Sequence, residues 1–343
     1  MKILIIGNGF DIASGLPTRY SDFLKICKLA KKAQVSWDDE IPSIKLKTEE
    51  EDFKTFCQNV GAPKYNEFTK IARTCFWIDH FIERSKKIGG KWLDFEEEIK
   101  NVIKSLITDM DSSEDGRVNK ITNISLQNYC NNRHMLKNNL TYKKLFSCIQ
   151  QEQVRLTRAL EIYMDSYVSK LETKMINEIS SRKYDRLLSF NYTETYTKIY
   201  DGLIQTCYIH GKADANKNDT RMVLGYDDEQ LDNLKQNPEG IIFEKYYQRI
   251  VKKTDSKYFY WLDEINCEQE DEVSIFGHSL APADGDVLKS FICSPNTKIT
   301  IYYVDEVDRA DKIRNLAIIL GRGKLIQLTT GVNATIDFVQ IKK

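Results

Sequence analysis

Long apolar runs and net charge are two features that this sequence of 343 residues lacks. No stretch approaches the roughly 20 apolar residues of a membrane-spanning helix, so we expect no membrane partner. The first apolar run is too short for a secretory signal and has no small-residue cleavage site after it. Because 50 basic and 50 acidic residues cancel, no overall field attracts nucleic acid, although a local patch would suffice. We therefore do not expect a nucleic-acid partner.

Cysteine and histidine lack the spacing of a metal site. The eight cysteines include no CxxC pair, which argues against a zinc ribbon and a disulfide framework. Scattered free cysteines are typical of the reduced cytoplasm. Of the four histidines, His80 and His134 have no partner at ligand spacing. The sequence therefore predicts a cytoplasmic protein without a bound metal.

The segment Gly7–Pro17, GNGFDIASGLP, is the most informative part of the chain. It follows the apolar run Lys2–Ile6, which predicts a buried strand, and its first two glycines permit a sharp turn and the close approach of a ligand. Asn8 and Asp11 tolerate turn geometry and bind hydroxyls. A strand that ends in a glycine turn is the usual opening of a nucleotide site in α/β proteins. Because Ile12 breaks the GxGxxG pattern, a tight turn without a ligand is the alternative.

Helical patterns dominate the first half of the chain after this turn. A helix is predicted over Tyr20–Lys32, and strand signals are scarce from Ala33 to Gln150. A long helix is predicted from the apolar spacing between Leu156 and Ile179. The helical segments between are Glu51–Val60, Tyr65–Lys86, Lys91–Asp109 and Thr141–Gln150, with loops near Gly89-Gly90 and Ser112–Gly116.

Strand patterns return in the second half. Short strands separated by helices predict a Rossmann-like α/β fold, with a mainly parallel sheet flanked by helices and a large helical insertion after the first βα unit. We infer a nucleotide-binding domain over residues 1–32 and 182–343, and an insertion over 33–181. The predicted elements are strands at Leu187–Phe190, Cys207–Ile209, Val273–Phe276 and Ile299–Val304, a helix at Arg309–Leu320 and a final strand at Leu325–Leu328.

Four of these strands end in polar or glycine clusters: GNGFD at 7–11, NYTET at 191–195, HG at 210–211 and GHSL at 277–280. Because ligands lie beyond the carboxyl ends of parallel strands, we expect the four clusters to meet at one edge.

Two residues of these clusters are candidates for chemistry. Asn191 is a neutral amide that can hold a water molecule, with a turn-capping role as the alternative. His210 can transfer a proton or bind a ribose hydroxyl, and a hydrogen-bonded core histidine is its alternative.

Acidic residues near the later clusters have simpler interpretations. We expect Asp284 and Asp286 to cap the helix that follows Gly277-His278-Ser279, and we assign His278 to the wall of the ligand cleft. The acidic run that contains Glu96 is expected to be a solvated helix face, with presentation of Glu96 to the cleft as the alternative.

Five blocks of the sequence resemble the AbiH family of bacterial abortive-infection proteins. They fall in the family's order and span most of the chain, which implies a role in antiphage defence. The blocks are GNGFD…GLPTRYSDF at 7–23, W-x-D-x-E at 92–96, FNYTET at 190–195, IHG at 209–211 and FGHSL…D at 276–284.

A more distant likeness is to the sirtuin-like NAD-binding fold, in which the matching Asn and His flank the nicotinamide ribose. It implies these roles for Asn191 and His210. The paired cysteines of a sirtuin zinc module are absent, which makes protein deacylation improbable. Asn8 and Asp11 also depart from the sirtuin pattern. The implied contacts to nucleotide are Gly7, Asn8, Gly9, Phe10, Asp11, Gly15, Pro17, Thr18, Tyr192, Gly211, Gly277, His278, Ser279 and Asp284.

The leading hypothesis is a protein that cleaves the nicotinamide–ribose bond of NAD. Asn191 orients water, His210 accepts a proton, and the amides after Gly7 and Gly9 bind the pyrophosphate. Such an activity needs gating, by a homo-oligomer, a regulatory partner or the helical insertion acting as a lid. The alternatives are a sensor of a nucleotide or ADP-ribose-type signal, and an RNA-directed toxin.

Overall fold

The computed structural model describes residues 1–46, 50–89, 94–137, 139–217, 219–227, 238–265 and 270–341. The strands assigned in these ranges are β1 Lys2–Ile6, β2 Gln34–Asp38, β3 Ile41–Lys45, β4 Arg186–Ser189, β5 Gln205–Tyr208, β6 Asp271–Phe276, β7 Thr297–Tyr303 and β8 Ile336–Gln340. The α-helices are α1 Asn8–Ala13, α2 Tyr20–Lys32, α3 Glu51–Val60, α4 Ala62–Thr74, α5 Phe76–Lys87, α6 Phe95–Asp111, α7 Ile124–Asn132, α8 Tyr142–Glu161, α9 Asn177–Ser180, α10 Thr195–Ile199, α11 Lys245–Lys252, α12 Tyr258–Glu264, α13 Gly285–Ile292, α14 Glu306–Leu320 and α15 Arg322–Thr330.

The chain folds into two compact units. The first comprises Met1–Thr18, Leu171–Lys212 and Thr254–Lys343, and the second comprises Arg19–Lys170 and Ala213–Lys253. The domain boundaries inferred from the sequence stay a prediction.

The first unit contains a six-stranded parallel sheet, in the order β5-β4-β1-β6-β7-β8. The predicted Rossmann-like α/β fold is confirmed. The chain starts in the middle of the sheet, proceeds through β4 to β5 on one side, and then returns to β6 on the other side of β1. The strand order therefore reverses between β1 and β6, which is where open α/β sheets form their ligand crevice.

Both faces of the sheet are buried, which explains the uninterrupted apolar run in β1. Ile3 and Ile5 belong to one apolar cluster, whereas Leu4 and Ile6 belong to a second. Helices α12 to α15 contribute to the first cluster, and α1, α9 and α10 contribute to the second. Each fully buried aliphatic side chain of this kind contributes about 1.5–3 kcal/mol.

A backbone contact joins the turn after β1 to the turn after β6. The Gly9 N–H donates to the Gly277 carbonyl at 2.7 Å, and the Gly7 N–H donates to the Phe276 carbonyl at 3.2 Å. A Cβ at Gly9 would lie 2.8 Å from Gly277 Cα, and one at Gly277 would lie 2.1 Å from Phe10 N. The space that a Cβ would take at these glycines is thus occupied by protein backbone. The predicted approach of a ligand to this turn stays a prediction.

Two predictions about the C-terminal part of the first unit differ from the structure. The strand predicted at Leu325–Leu328 is wrong, because these residues lie in α15 and the last strand is β8. A short apolar run does not distinguish helix from strand. The helical pattern is visible in the burial, since Leu325 is buried and Leu328 packs against the same cluster while Ile326 is exposed.

The predicted long helix from Leu156 to Ile179 is also wrong. Helix α8 ends at Glu161 and continues as a π-helical turn at Ile162–Tyr167 and a 3-10 turn at Val168–Lys170. Residues 171–176 are not helical, and α9 follows. The predicted helix combined apolar residues of two different units, because the chain passes from the second unit to the first at Leu171.

The second unit is mainly helical, with one antiparallel hairpin of β2 and β3 that the sequence analysis missed. Its strands are half-buried on alternate residues, and Asp39 in the turn has φ of 51°. The segment Tyr65–Lys86, read as one helix, is divided between α4 and α5 by an extended Cys75. Lys91, where a helix was predicted to begin, and Gly90 lie outside the described residues.

Within the described ranges, none of the helices combines the length and the apolar character that crossing a bilayer requires.

Alanine substitution tests the contact between the two turns. Gly277→Ala should destabilise the protein by roughly 3 kcal/mol or more, because its φ of 66° and the contact with Phe10 N both oppose a Cβ. Gly15→Ala is the matched control, since Gly15 has φ of 89° but no atom within 4 Å of the added Cβ, and should cost only about 1–2 kcal/mol. Urea unfolding measures both, and equal losses would contradict the proposed role of the contact.

Candidate functional site

Asn191 connects the end of β4 to the turn after β1. Its side-chain Nδ2 donates to the Gly7 carbonyl at 3.0 Å, and its backbone N–H donates to Ser189 Oγ at 3.2 Å. The residue is buried. The Asn191 side chain therefore links the carboxyl ends of two neighbouring strands, β4 and β1.

Asp11 is the centre of a buried polar cluster beside Asn191. Thr193 Oγ1 donates to Asp11 Oδ2 at 2.6 Å, and Thr195 Oγ1 donates to Thr193 Oγ1 at 3.1 Å. Burial raises the pKa of Asp11 to about 6, although the hydrogen bond from Thr193 favours the carboxylate. The hydroxyl that Asp11 binds in this structure is thus one of the protein's own.

His210 and His278 both contact the carboxylate of Asp284. His210 Nε2 lies 3.0 Å from Asp284 Oδ1, and His278 Nε2 lies 3.4 Å from Asp284 Oδ2. All three side chains are buried. Asp284 stands at the N-cap position of α13 but makes no capping hydrogen bond, which corrects the expectation that it caps this helix. Asp286 is exposed in the first turn of α13.

The backbone of Leu280 fixes the orientation of His278. The Leu280 N–H donates to His278 Nδ1 at 2.9 Å, so Nδ1 carries a lone pair and the ring proton is on Nε2. Leu280 has φ of 57°, in the left-handed region that is unfavourable for a leucine, and it is fully buried. The strained backbone at Leu280 thus supplies the N–H that fixes the tautomer of the neutral His278 ring.

Phe190 packs edge-on against both histidines. Its ring centroid is 5.4 Å from that of His210 and 4.3 Å from that of His278. Asn191 and His210 follow neighbouring strands in register, because Ser189 pairs with Tyr208. The four predicted clusters thus lie in the first unit, after β1, β4, β5 and β6.

Comparison with known protein families gives one match. The family described as "Bacteriophage abortive infection AbiH" matches residues 3–305, which is most of the chain. The chain belongs to the AbiH family. Its role is therefore in abortive infection, a defence against bacteriophage. No curated protein and no solved structure matches it significantly. The likeness to sirtuins stays a prediction.

Some groups of this AbiH chain that were inferred to contact nucleotide make contacts within the protein itself. The Phe10 ring is fully buried against Tyr196, Tyr200 and Phe276, so its side chain belongs to the core. The Phe10 N–H, inferred to bind pyrophosphate, donates to the Gly7 carbonyl at 2.9 Å. Pyrophosphate binding at this turn stays a prediction.

Other residues of the AbiH blocks also follow strands of the parallel sheet. Asn8 Nδ2 donates to the Thr18 carbonyl at 3.2 Å, which closes the loop that contains Gly15 and the half-buried Pro17. Gly211 has φ of 74° in the turn after β5. Tyr192 is half-buried and Ser279 is exposed.

Glu96 of the W-x-D-x-E block lies in the second unit. Its carboxylate is 2.8 Å from the Nζ of the buried Lys245. The expected solvated helix face is therefore wrong for this residue, since Glu96 neutralises a buried cation. Trp92 of the same block lies outside the described residues. No group of three metal-ligating side chains that could hold an ion occurs among the described residues.

Sequence reasoning missed Thr193, Phe190 and Leu280 as parts of the site. Thr193 follows Asn191 by two residues in the NYTET cluster, and this spacing is a signal that the hydroxyl and the amide share a turn. No local signal identifies Leu280, because its role comes from a backbone N–H. Nor does the sequence show that Asp284 turns away from its helix.

Burial of Asp11 predicts a pH-dependent effect on stability. The pKa rises from 3.8 to about 6 on folding, so the folded state loses stability as pH rises through this interval. The loss is about 3 kcal/mol, fully present above pH 6 and absent below pH 4. Asp11→Asn removes the charge, and its unfolding free energy relative to wild type should therefore increase by this amount from pH 4 to pH 7.

The control for this measurement is Asp337→Asn, which makes the same charge change at an exposed position of β8. Chemical denaturation of the three proteins at several pH values gives the difference. A free-energy difference for Asp11→Asn that stays constant across this range would contradict the raised pKa.

Proposed function

We propose that the first unit hydrolyses the bond between nicotinamide and ribose in NAD. The observation that carries the proposal is the occurrence of Asn191 and of His210, paired with Asp284, at the carboxyl ends of neighbouring strands of one parallel sheet. The strand order supports a dinucleotide as the ligand, because sheets of this order bind dinucleotides where the order reverses.

The reaction requires an acceptor for one proton and no redox partner. The bond from ribose C1′ to the nicotinamide nitrogen breaks, and its electron pair leaves with nicotinamide. The ribose passes through an oxocarbenium-like state, as at other glycosidic centres, and a water oxygen bonds to C1′. The products are nicotinamide, ADP-ribose and a proton, which His210 accepts.

Asn191 is suited to orient the water. Its Nδ2 donates to the Gly7 carbonyl at 3.0 Å. With the amide nitrogen engaged in this way, the Oδ1 carbonyl is the group that accepts a hydrogen from water and directs the oxygen lone pair toward C1′. Such preorganised polar groups are what a reaction with a charged transition state chiefly needs.

Buried acidic groups favour the same chemistry. Asp11 and Asp284 are both buried in the first unit, and at pH 7 the Asp11 carboxyl is mostly ionised because its pKa is about 6. Negative charge in a site of low dielectric stabilises an oxocarbenium ion more than it does in water.

The proposal is tested by following nicotinamide release from NAD with the purified chain. Asn191→Ala and His210→Asn should each lower the rate by about 10²-fold or more, because each removes a group that acts on the water or its proton. Matched controls are Asn177→Ala and His134→Asn, which change exposed residues of the same types and should leave the rate unaltered.

Cellular NAD during phage infection is measured in parallel, so that a requirement for an infection trigger does not hide the activity. If the protein binds NAD tightly but turns it over neither in purified form nor during infection, the result would favour a nucleotide sensor over a hydrolase. Unchanged cellular NAD with no binding would contradict both.

A further inference from the structure

The second unit contains a cavity of 370 Å³, a volume within the range of small-molecule sites. Helix α4 contributes Lys70 and Ile71 to its lining, and helix α8 contributes Val154 and Arg155. Asp219, from an irregular segment of the chain, lines the same cavity. These residues all belong to one compact unit, and none of them is part of the site at the sheet edge.

Arg158 fixes the walls of this cavity. Its guanidinium pairs with Glu67 of α4, with Nε 2.8 Å from Oε1 and one terminal nitrogen 3.3 Å from Oε2. It also donates to the carbonyls of Ala215 and Lys217, at 3.0 and 2.8 Å. Glu161 Oε2 accepts the fifth N–H at 2.8 Å, so every donor of Arg158 is engaged. The irregular segment is thus attached to α4 and α8 by the protein itself, and a site formed in advance loses little entropy when a ligand binds.

Two lining residues of opposite charge have no bonded partner. Lys70 and Asp219 are both exposed, and neither side chain forms a hydrogen bond or an ion pair within the described residues, with each other or with a third group. The terminal nitrogens of Arg155 bind Glu152 and Thr74, but its Nε–H has no acceptor in the described part of the chain. The cavity therefore offers cationic donors from its helices and a carboxylate from its irregular segment.

We propose that this cavity binds a small phosphorylated molecule whose other end carries paired N–H donors, as a guanine nucleotide does. Lys70 and Arg155 suit the phosphate, because charge-assisted hydrogen bonds to phosphate are strong. The two oxygens of Asp219 accept from the adjacent N1–H and N2 amino group of guanine. Ile71 and Val154 provide apolar surface for the purine ring. The proposal concerns the second unit and does not rest on the hydrolase function.

Calorimetric titration of the full chain with guanosine 5′-monophosphate (GMP) tests the proposal. GMP should bind at one site per chain. Adenosine 5′-monophosphate (AMP) should bind about 10-fold or more weakly, because adenine has an acceptor where guanine has N1–H and leaves a carboxylate oxygen unpaired. Inorganic phosphate and guanosine are titrated separately, and each should bind more weakly than GMP because it engages only one end of the cavity.

Variants assign the binding to this cavity. Lys70→Met should weaken GMP binding by about 10-fold or more, because it removes a charged donor and keeps the length of the side chain. Asp219→Asn should abolish the preference for GMP over AMP, because a carboxamide has one acceptor oxygen. Lys54→Met is the matched control, since Lys54 is an exposed lysine of α3 in the same unit that does not line the cavity. Lys54→Met and Asn191→Ala should both leave GMP affinity unaltered.

Three results would overturn the inference: no GMP binding down to millimolar affinity, equal affinity for GMP and AMP, or GMP binding that Asn191→Ala weakens and Lys70→Met does not. Because the first two are measured on the wild type, the test does not depend on the folding of a variant. A wild type that binds GMP as expected but releases no nicotinamide from NAD would support the cavity and contradict the proposed hydrolase.

Discussion

The site depends on the backbone contact between the turns after β1 and β6. Gly9 and Gly277 approach so closely that neither position has room for a Cβ. This contact sets the separation of the two central strand ends, and Asn191 then joins the β4 end to the Gly7 carbonyl. The side chains of Asn191 and His278 are each held by a main-chain group, the Gly7 carbonyl and the Leu280 N–H, whose position is fixed by the fold.

The carboxylates of the first unit have different tasks because their partners differ. Asp11 accepts a hydrogen bond from the Thr193 hydroxyl, and burial raises its pKa. Asp284 lies between two imidazoles instead. The charge of Asp11 therefore has an energetic cost that depends on pH, whereas the charge of Asp284 lies beside two groups that can carry a positive charge.

Much of the first unit could be predicted from the sequence, because its strands are short apolar runs that end in glycine or polar residues. The strand over Lys2–Ile6 has the predicted bounds, as does the helix over Tyr20–Lys32 in the second unit. The errors arose where a local pattern is ambiguous. Leu325–Leu328 fits a strand and a helix equally well, and the spacing that ends at Ile179 continues across a boundary between two units. The sequence grouped Asn191, His210 and His278 correctly at strand ends, but their partners are set by tertiary contacts.

Several hydrogen bonds at this edge are already made within the chain, although the buried Oδ1 of Asp11 has no partner among the described residues. Asn191, His278 and Asp11 each form a hydrogen bond within the protein itself. The partner of His278 is the N–H of Leu280, whose backbone is in the left-handed region. The conformational entropy of these side chains is therefore lost during folding, not at the encounter with a small molecule. An incoming compound meets a rigid surface and has to match it, so selectivity at this edge is determined by the shape and donor pattern of the compound.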